Sequence, residues 1–236
     1  MRYFVDALAW IADPARWPGP DGIATRLAEH LGYSVAGVLI ACLVGIPAGW
    51  WVGHTRRGRG LAVGLSGAAR ALPTLGLVTL LGILLGIGLV GPMVAFVVLA
   101  LPSVLAGAYS GVEAVDPLAV DGARASGMTE AQVLTRVEIP LGMPLLVGGV
   151  RSAFLQVIAT ATLAAYVGAG GLGRYLFLGL KTQDYPQMLA ASLLVVALAL
   201  VRDLAFAALQ RAATPVGVPD LEDLPDLSKV SPALPR

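Results

Sequence analysis

The sequence predicts an all-α, polytopic membrane protein, and three observations carry that expectation. Hydrophobic residues make up 57% of the 236, charged residues only 13%, and mean hydropathy is +0.79; a soluble domain carries about 25% charged residues. The charges cluster at a few places and leave long uncharged runs. At about 1.5 Å per helical residue, such runs are able to cross a hydrocarbon core of about 30 Å. Short Arg-rich or Gly/Pro-rich stretches separate them, as loops between spans do.

Residues 1–30 read as an N-terminal interfacial segment: an amphipathic piece over 3–11, a Pro/Gly/Trp turn over 17–20, and a helix over 21–30. Trp10 and Trp17 suit headgroup level, where an apolar ring with a polar tip is favoured. The membrane domain is expected over 31–212, with about five main transmembrane helices. The first spans 31–53, kinked at Pro47, with Trp50 and Trp51 at the far interface. The Arg-rich HTRRGRG at 54–60 marks a cytoplasmic loop, since short inner loops collect Lys and Arg. After an interfacial lead-in over 61–71, the second span is expected over 72–89. Its Pro73 and its Gly76, Gly82, Gly86 and Gly88 permit close helix approach. An outer turn over 88–92 leads to the third span, 93–111, kinked at Pro102. The fourth runs over 145–168 and the fifth over 188–209. Arg151 and Arg202, toward inner ends, are expected to snorkel to phosphates. The outer connection 168–187 reads as a flexible glycine turn and a short surface helix over 174–180. Residues 213–236, with five prolines and four acids, read as a disordered tail.

Between spans three and four the chain is too well punctuated to be slack loop. Asp116 is placed to cap a helix opened by Pro117, where a missing N–H costs nothing. Gly127 is the residue type that ends a helix in the left-handed conformation. Thr129 with Gln132 forms a capping box for a second helix. Its apolar stripe is Val133, Leu134 and Val137, Pro140 is expected to stop it, and the chain re-enters the membrane at Pro144. The expected unit is helix, glycine turn, short helix.

Of the sixteen basic residues, Arg2, Arg16, Arg26, Arg174 and Lys181 fall outside if the 54–60 and 113–144 loops lie inside, and the other eleven fall inside. That asymmetry predicts the N-terminus out and the C-terminus in.

Enzyme chemistry finds no footing. The two histidines, His30 and His54, sit at opposite ends of span one and cannot share a metal. No Walker-type, GxSxG or HExxH motif occurs, so no catalytic residue, metal or cofactor is expected, and ATP hydrolysis would fall to a partner. The lone Cys42 excludes a disulfide within the chain. No basic, aromatic-interleaved stripe points to nucleic acid. No acid lies mid-span, which argues against proton coupling. An ion-coupled secondary transporter or a channel subunit remains the alternative reading.

The order acidic–x–Ala–x3–Gly–x9–aliphatic–x–aliphatic–Pro, met by Asp121, Ala123, Gly127, Val137, Ile139 and Pro140, resembles the cytoplasmic "EAA" loop of permease subunits in bacterial ABC importers. Asp121 and Gly122 stand where Glu and Ala are usual. The run over 148–180 resembles the branch importing glycine betaine, choline, proline and related osmoprotectants. The resemblance implies a type I ABC importer permease fold in the bacterial cytoplasmic membrane. It implies a cytoplasmic pair of coupling helices that docks on an ABC ATPase subunit through Asp121, Gly122, Ala123, Gly127, Met128, Thr129, Val137, Ile139 and Pro140. A second permease subunit, identical or homologous, and an extracytoplasmic substrate-binding protein are further implied partners, beside membrane lipid. A quaternary ammonium cannot donate hydrogen bonds and is held against aromatic faces. Tyr109 and Tyr166 are the span-embedded candidates, with Gln156 as a polar position on the same pathway; packing is the other reading of the tyrosines.

Overall fold

The computed structural model describes residues 2–213, apart from the side chains of a few, and all of the described secondary structure is helical. The tail expected to be disordered lies, but for Ala213, outside the described residues.

Helix α1 (Arg2–Ala12) precedes α2 (Ile23–Thr55). Helices α3 (Arg59–Ala71) and α4 (Thr74–Leu85) lead to α5 (Val90–Glu113). After α6 (Pro117–Ala125) and α7 (Glu130–Val133), a wide π turn over Leu134–Glu138 continues directly into α8 (Ile139–Ala161). A 3-10 stretch, Thr162–Val167, extends it; α9 (Gly173–Thr182) and α10 (Tyr185–Ala213) complete the chain. Among the described residues, four segments are long and apolar enough to cross a membrane: Ile23–Thr55, Val90–Glu113, Glu130–Val167 and Tyr185–Gln210.

The frame is α2, α5 and α8, with α5 in the middle. Helix α2 offers small residues every fourth position, and a Cβ on Gly49 would lie 2.5 Å from the Ala108 Cβ of α5. On the other face of α5, a Cβ on Gly111 would lie 2.5 Å from the Gly142 carbonyl oxygen of α8. Glycine is required at such crossings because the backbones themselves touch. Around them Val38, Ala41, Phe96, Ala100, Val104, Ala153, Phe154 and Val157 form the core. Large aliphatic side chains such as Leu43, Ile83, Val201 and Leu204 point outward and are exposed, the arrangement expected where the solvent is lipid.

Five expectations need correction. The second span is not one helix over 72–89. Helix α4 has 12 residues, about 18 Å, too short for the hydrocarbon core. Pro73 caps it, and a proline disfavours helical geometry in the residue before it. Gly86 at φ +98° and Gly88 at φ +132° end it. The crossing is made by two short helices in succession. Arg59 pairs with Glu113 at one end of α5, and Gly82 lies against Gly91 at the other.

The helix expected over 21–30 and the first span are one continuous helix of 33 residues, because no breaker falls between them. Pro140 does not stop the second loop helix. The Ile139 N–H donates to the Leu134 carbonyl, and this π geometry shifts the carbonyls against which the proline ring would clash. Finally, Arg151 does not snorkel. It forms two hydrogen bonds of 2.6 Å to Asp203 of α10, while Arg202 lies 4.7 Å over the Phe154 ring.

The glycine turn after Val167 is also packed rather than slack. Residues 169–173 are buried, the Gly171 N–H donates 2.8 Å to Glu29 of α2, and a Cβ on Gly173 would overlap the Thr162 carbonyl. The glycines serve close packing there. The expected surface helix follows as α9.

Candidate functional site: the two-helix unit between α5 and α8

Every punctuation mark read between residues 116 and 132 has its structural counterpart. The Asp116 carboxylate accepts from the Leu118 N–H at 2.8 Å, with Pro117 in the first turn. Gly127 has φ +84°. The Met128 N–H donates to the Ala123 carbonyl at 3.2 Å and the Gly127 N–H to the Arg124 carbonyl at 2.9 Å. These are the two bonds of a Schellman ending, and Met128 and Ala123 both pack against the small apolar cluster beneath it. The capping box is complete: Thr129 N–H to Gln132 Oε1, 2.9 Å, and Gln132 N–H to Thr129 Oγ1, 3.4 Å.

The unit has its own small core of Val115, Val120 and Val133, with Ala123 and Met128 against it. Of the residues singled out from the sequence, Asp121, Gly122, Gly127, Thr129 and Pro140 are exposed and Ala123, Met128, Val137 and Ile139 are half-buried. Much of one short loop is thus turned outward, while its small core anchors it from beneath. Leu118, an apolar side chain 79% exposed beside it, was not marked by the sequence pattern.

The larger omission is electrostatic. His54, the penultimate residue of α2, places Nδ1 2.5 Å from Glu138 and Nε2 3.3 Å from Glu130. Glu130 in turn receives Arg124 through two hydrogen bonds of 2.9 and 3.0 Å, and Arg124 reaches Asp121 at 3.4 Å. The hydrogen bonds to Glu130 hold the Arg124 guanidinium above its ordinary pKa. No local signal marks this chain, because His54 and Glu138 are 84 residues apart in sequence. A polar cavity of about 450 Å³ lies beside it, between the ends of α2 and α5 and helix α6.

The candidate pathway residues do not converge. Tyr109 is half-buried near the inner end of α5, its backbone against Gly49 and Gly53. Gln156 is half-buried in α8. Tyr166 lies ten residues further along, past the end of α8, on the order of 15 Å away. It is 57% exposed, 5.6 Å from Phe177. It opens on a largely apolar cavity of about 660 Å³ with Thr79, Gly82 and Ile83.

The profile of a family described as binding-protein-dependent transport system inner membrane component matches residues 45–215. Among similar proteins, a choline transport system permease of Bacillus subtilis (strain 168) is 32% identical over 196 residues, covering 83% of this chain and 90% of that one. A glycine betaine/carnitine/choline transport permease of the same organism is 30% identical, covering 84% and 92%. An osmoprotectant import permease of Salmonella typhimurium is 29% identical, covering 91% and 100%. The inward-facing MetNI methionine ABC transporter superposes with a TM-score of 0.70 at 22% identity over 82% of this chain and 96% of that one. An amino acid ABC transporter gives 0.65 at 19% identity, over 87% and 95%. These two show the fold alone, that of a type I ABC importer permease.

Proposed function

We infer function from kinship: the chain belongs to the family of binding-protein-dependent transport system inner membrane components, and it is the permease subunit of an ATP-driven ABC importer for osmoprotectants. The solute class rests on one observation. Relatives named for choline, glycine betaine, carnitine and osmoprotectant transport align with more than four fifths of this chain. The solute is a quaternary ammonium or a related zwitterion such as glycine betaine, choline, proline betaine or proline. Family membership displaces the alternative of an ion-coupled transporter or channel.

A permease of this family is not itself catalytic, and we propose that ATP is hydrolysed on a separate ATPase subunit. The face formed by Asp121, Gly122, Ala123, Gly127, Met128 and Thr129 receives that subunit, with Val137, Ile139 and Pro140 carrying the load into α8. A second permease and an extracytoplasmic binding protein complete the assembly. The N-terminus lies outside and the C-terminus inside. The Schellman ending and the capping box support this reading, since they hold the loop in one shape from which a partner can push.

Reconstitution in proteoliposomes with the partner ATPase and the binding protein tests the proposal. Glycine betaine uptake is expected to require ATP and to survive collapse of proton and sodium gradients. Uptake by the chain alone, driven by an ion gradient, would overturn it.

A further inference from the structure

Glu138 is an acid in a place where an acid is expensive. Its residue is 5% exposed, in the π turn that joins the two-helix unit to α8. Among the described residues its only polar side-chain partner is His54. A buried carboxylate is tolerated when a positive, hydrogen-bonding group faces it. His54 also faces the Glu130 carboxylate from its other nitrogen. Ionised carboxylates only accept, so an imidazole meeting one at each nitrogen fits best when both nitrogens carry protons, that is, as imidazolium.

The groups around it give no other cation that access. Arg124 of α6 is engaged with Glu130 and Asp121. Arg59 of α3 is engaged with Glu113 of α5. Arg56, just past the end of α2, lines the same polar cavity without being an ion-pair partner of Glu138. The His54 side chain is 14% exposed and borders that cavity, so protons reach it from the inner solution.

We propose that His54 is a positioning residue for coupling. As imidazolium it fastens the unit, through Glu138 and Glu130, to the inner end of α2, and losing its charge uncouples solute movement from ATP hydrolysis. This rests on the reading of residues 116–140 as the ATPase-docking unit. Glu130 belongs to α7 and Glu138 to the turn behind it, so one side chain grips both parts of the load path. A neutral His54 carries one ring proton, so one of its two carboxylate contacts is lost, and α7 is free to move without drawing α2 with it.

The test measures glycine betaine moved per ATP hydrolysed by the complete importer in proteoliposomes. His54→Lys, a permanent cation, is expected to keep a ratio near that of the wild type. His54→Gln, which keeps a donor without charge, is expected to lower it about fivefold while hydrolysis continues. Should His54→Gln fail to fold with Glu138 left uncompensated, His54→Gln with Glu138→Gln removes the buried acid as well and is expected to be equally low. A wild-type ratio in the His54→Gln protein or in the double variant overturns the proposal. The docking reading fails separately, if Gly127→Val binds the ATPase and transports normally. If that variant loses transport while His54→Gln keeps the wild-type ratio, only the role of His54 falls.

Discussion

Gly127→Val isolates the coupling turn from everything else in the chain. A Cβ at Gly127 would meet nothing within 4 Å, so the cost of adding one comes from φ +84°. An L-residue in the left-handed region is disfavoured by roughly 1–2 kcal/mol, and a β-branched one by more. The turn then has two ways to respond. It holds its shape and carries the strain, or it leaves the left-handed region and loses the two Schellman bonds. Those bonds are worth about 0.5–1.5 kcal/mol each, and their loss also draws Met128 from the small valine core. Either way the competent geometry becomes less populated by about 1–2 kcal/mol, a factor of roughly 5–30. Membrane insertion depends on the apolar spans and should be unaffected. Uptake and co-purification of the ATPase, measured at matched expression, should both fall by about that factor. Gly127→Asn, which tolerates the left-handed region through its own side chain, should recover much of the loss, and Gly127→Ala should lie between. Normal uptake and normal pull-down in the valine variant would refute residues 116–140 as the coupling surface.

Reporter fusions at Arg57 and Gln132 should report cytoplasm and a fusion at Thr182 the outside; a cytoplasmic signal at Thr182 would overturn the expected arrangement of spans. Arg151→Leu should leave Asp203 uncompensated between α8 and α10 and lower thermal stability in detergent. A pair broken on one side costs about 3–5 kcal/mol when fully buried, and less here, where both partners are partly exposed. The exchange Arg151→Asp with Asp203→Arg should restore most of it. A melting temperature unchanged by the single substitution would show that the pair contributes nothing.

How far the sequence could be read depended on the reach of the physics behind each feature. Caps, glycine endings and capping boxes are local, and Asp116, Gly127 and Thr129 announced themselves within a few residues. Span existence is a composition signal over about twenty residues and was equally legible, but continuity was not. Pro73 interrupts a helix whereas Pro140 is absorbed by one, and the difference lies in the π turn over Leu134–Glu138, which no residue type marks. Glycine was ambiguous in the same way. Gly170, Gly171 and Gly173 read as slack, yet they are packed against Glu29, His30 and the Thr162 carbonyl. Those neighbours are brought in by the fold and not by the adjacent chain. The ion pairs Arg151–Asp203 and His54–Glu138 join residues 52 and 84 apart, and an isolated Arg or His in an apolar run carries no mark of its partner.

The absorbed proline has a mechanical consequence. Had Pro140 ended the loop helix, the joint between coupling unit and span would have been a hinge, and a displacement of α7 would dissipate in it. The backbone is instead helical without a break from Glu130 through Val167, so a load on α7 is delivered along the axis of α8. Both ends of that segment are tied to α2 by polar contacts. Glu138 meets His54 at the end next to α7, and at the opposite end Gly171, just beyond it, meets Glu29, while His30 reaches the Ile158 carbonyl at 2.9 Å. Helix α5 fills the space between, in backbone contact with both. Helices α2, α5 and α8 are therefore built to move as one body. Helix α1 and the broken α3–α4 crossing lie outside this frame, and α10 joins it chiefly through α8. The relative motion that opens and closes a pathway is most easily accommodated between that frame and these outer helices, or between the frame and a second permease, and not within the frame.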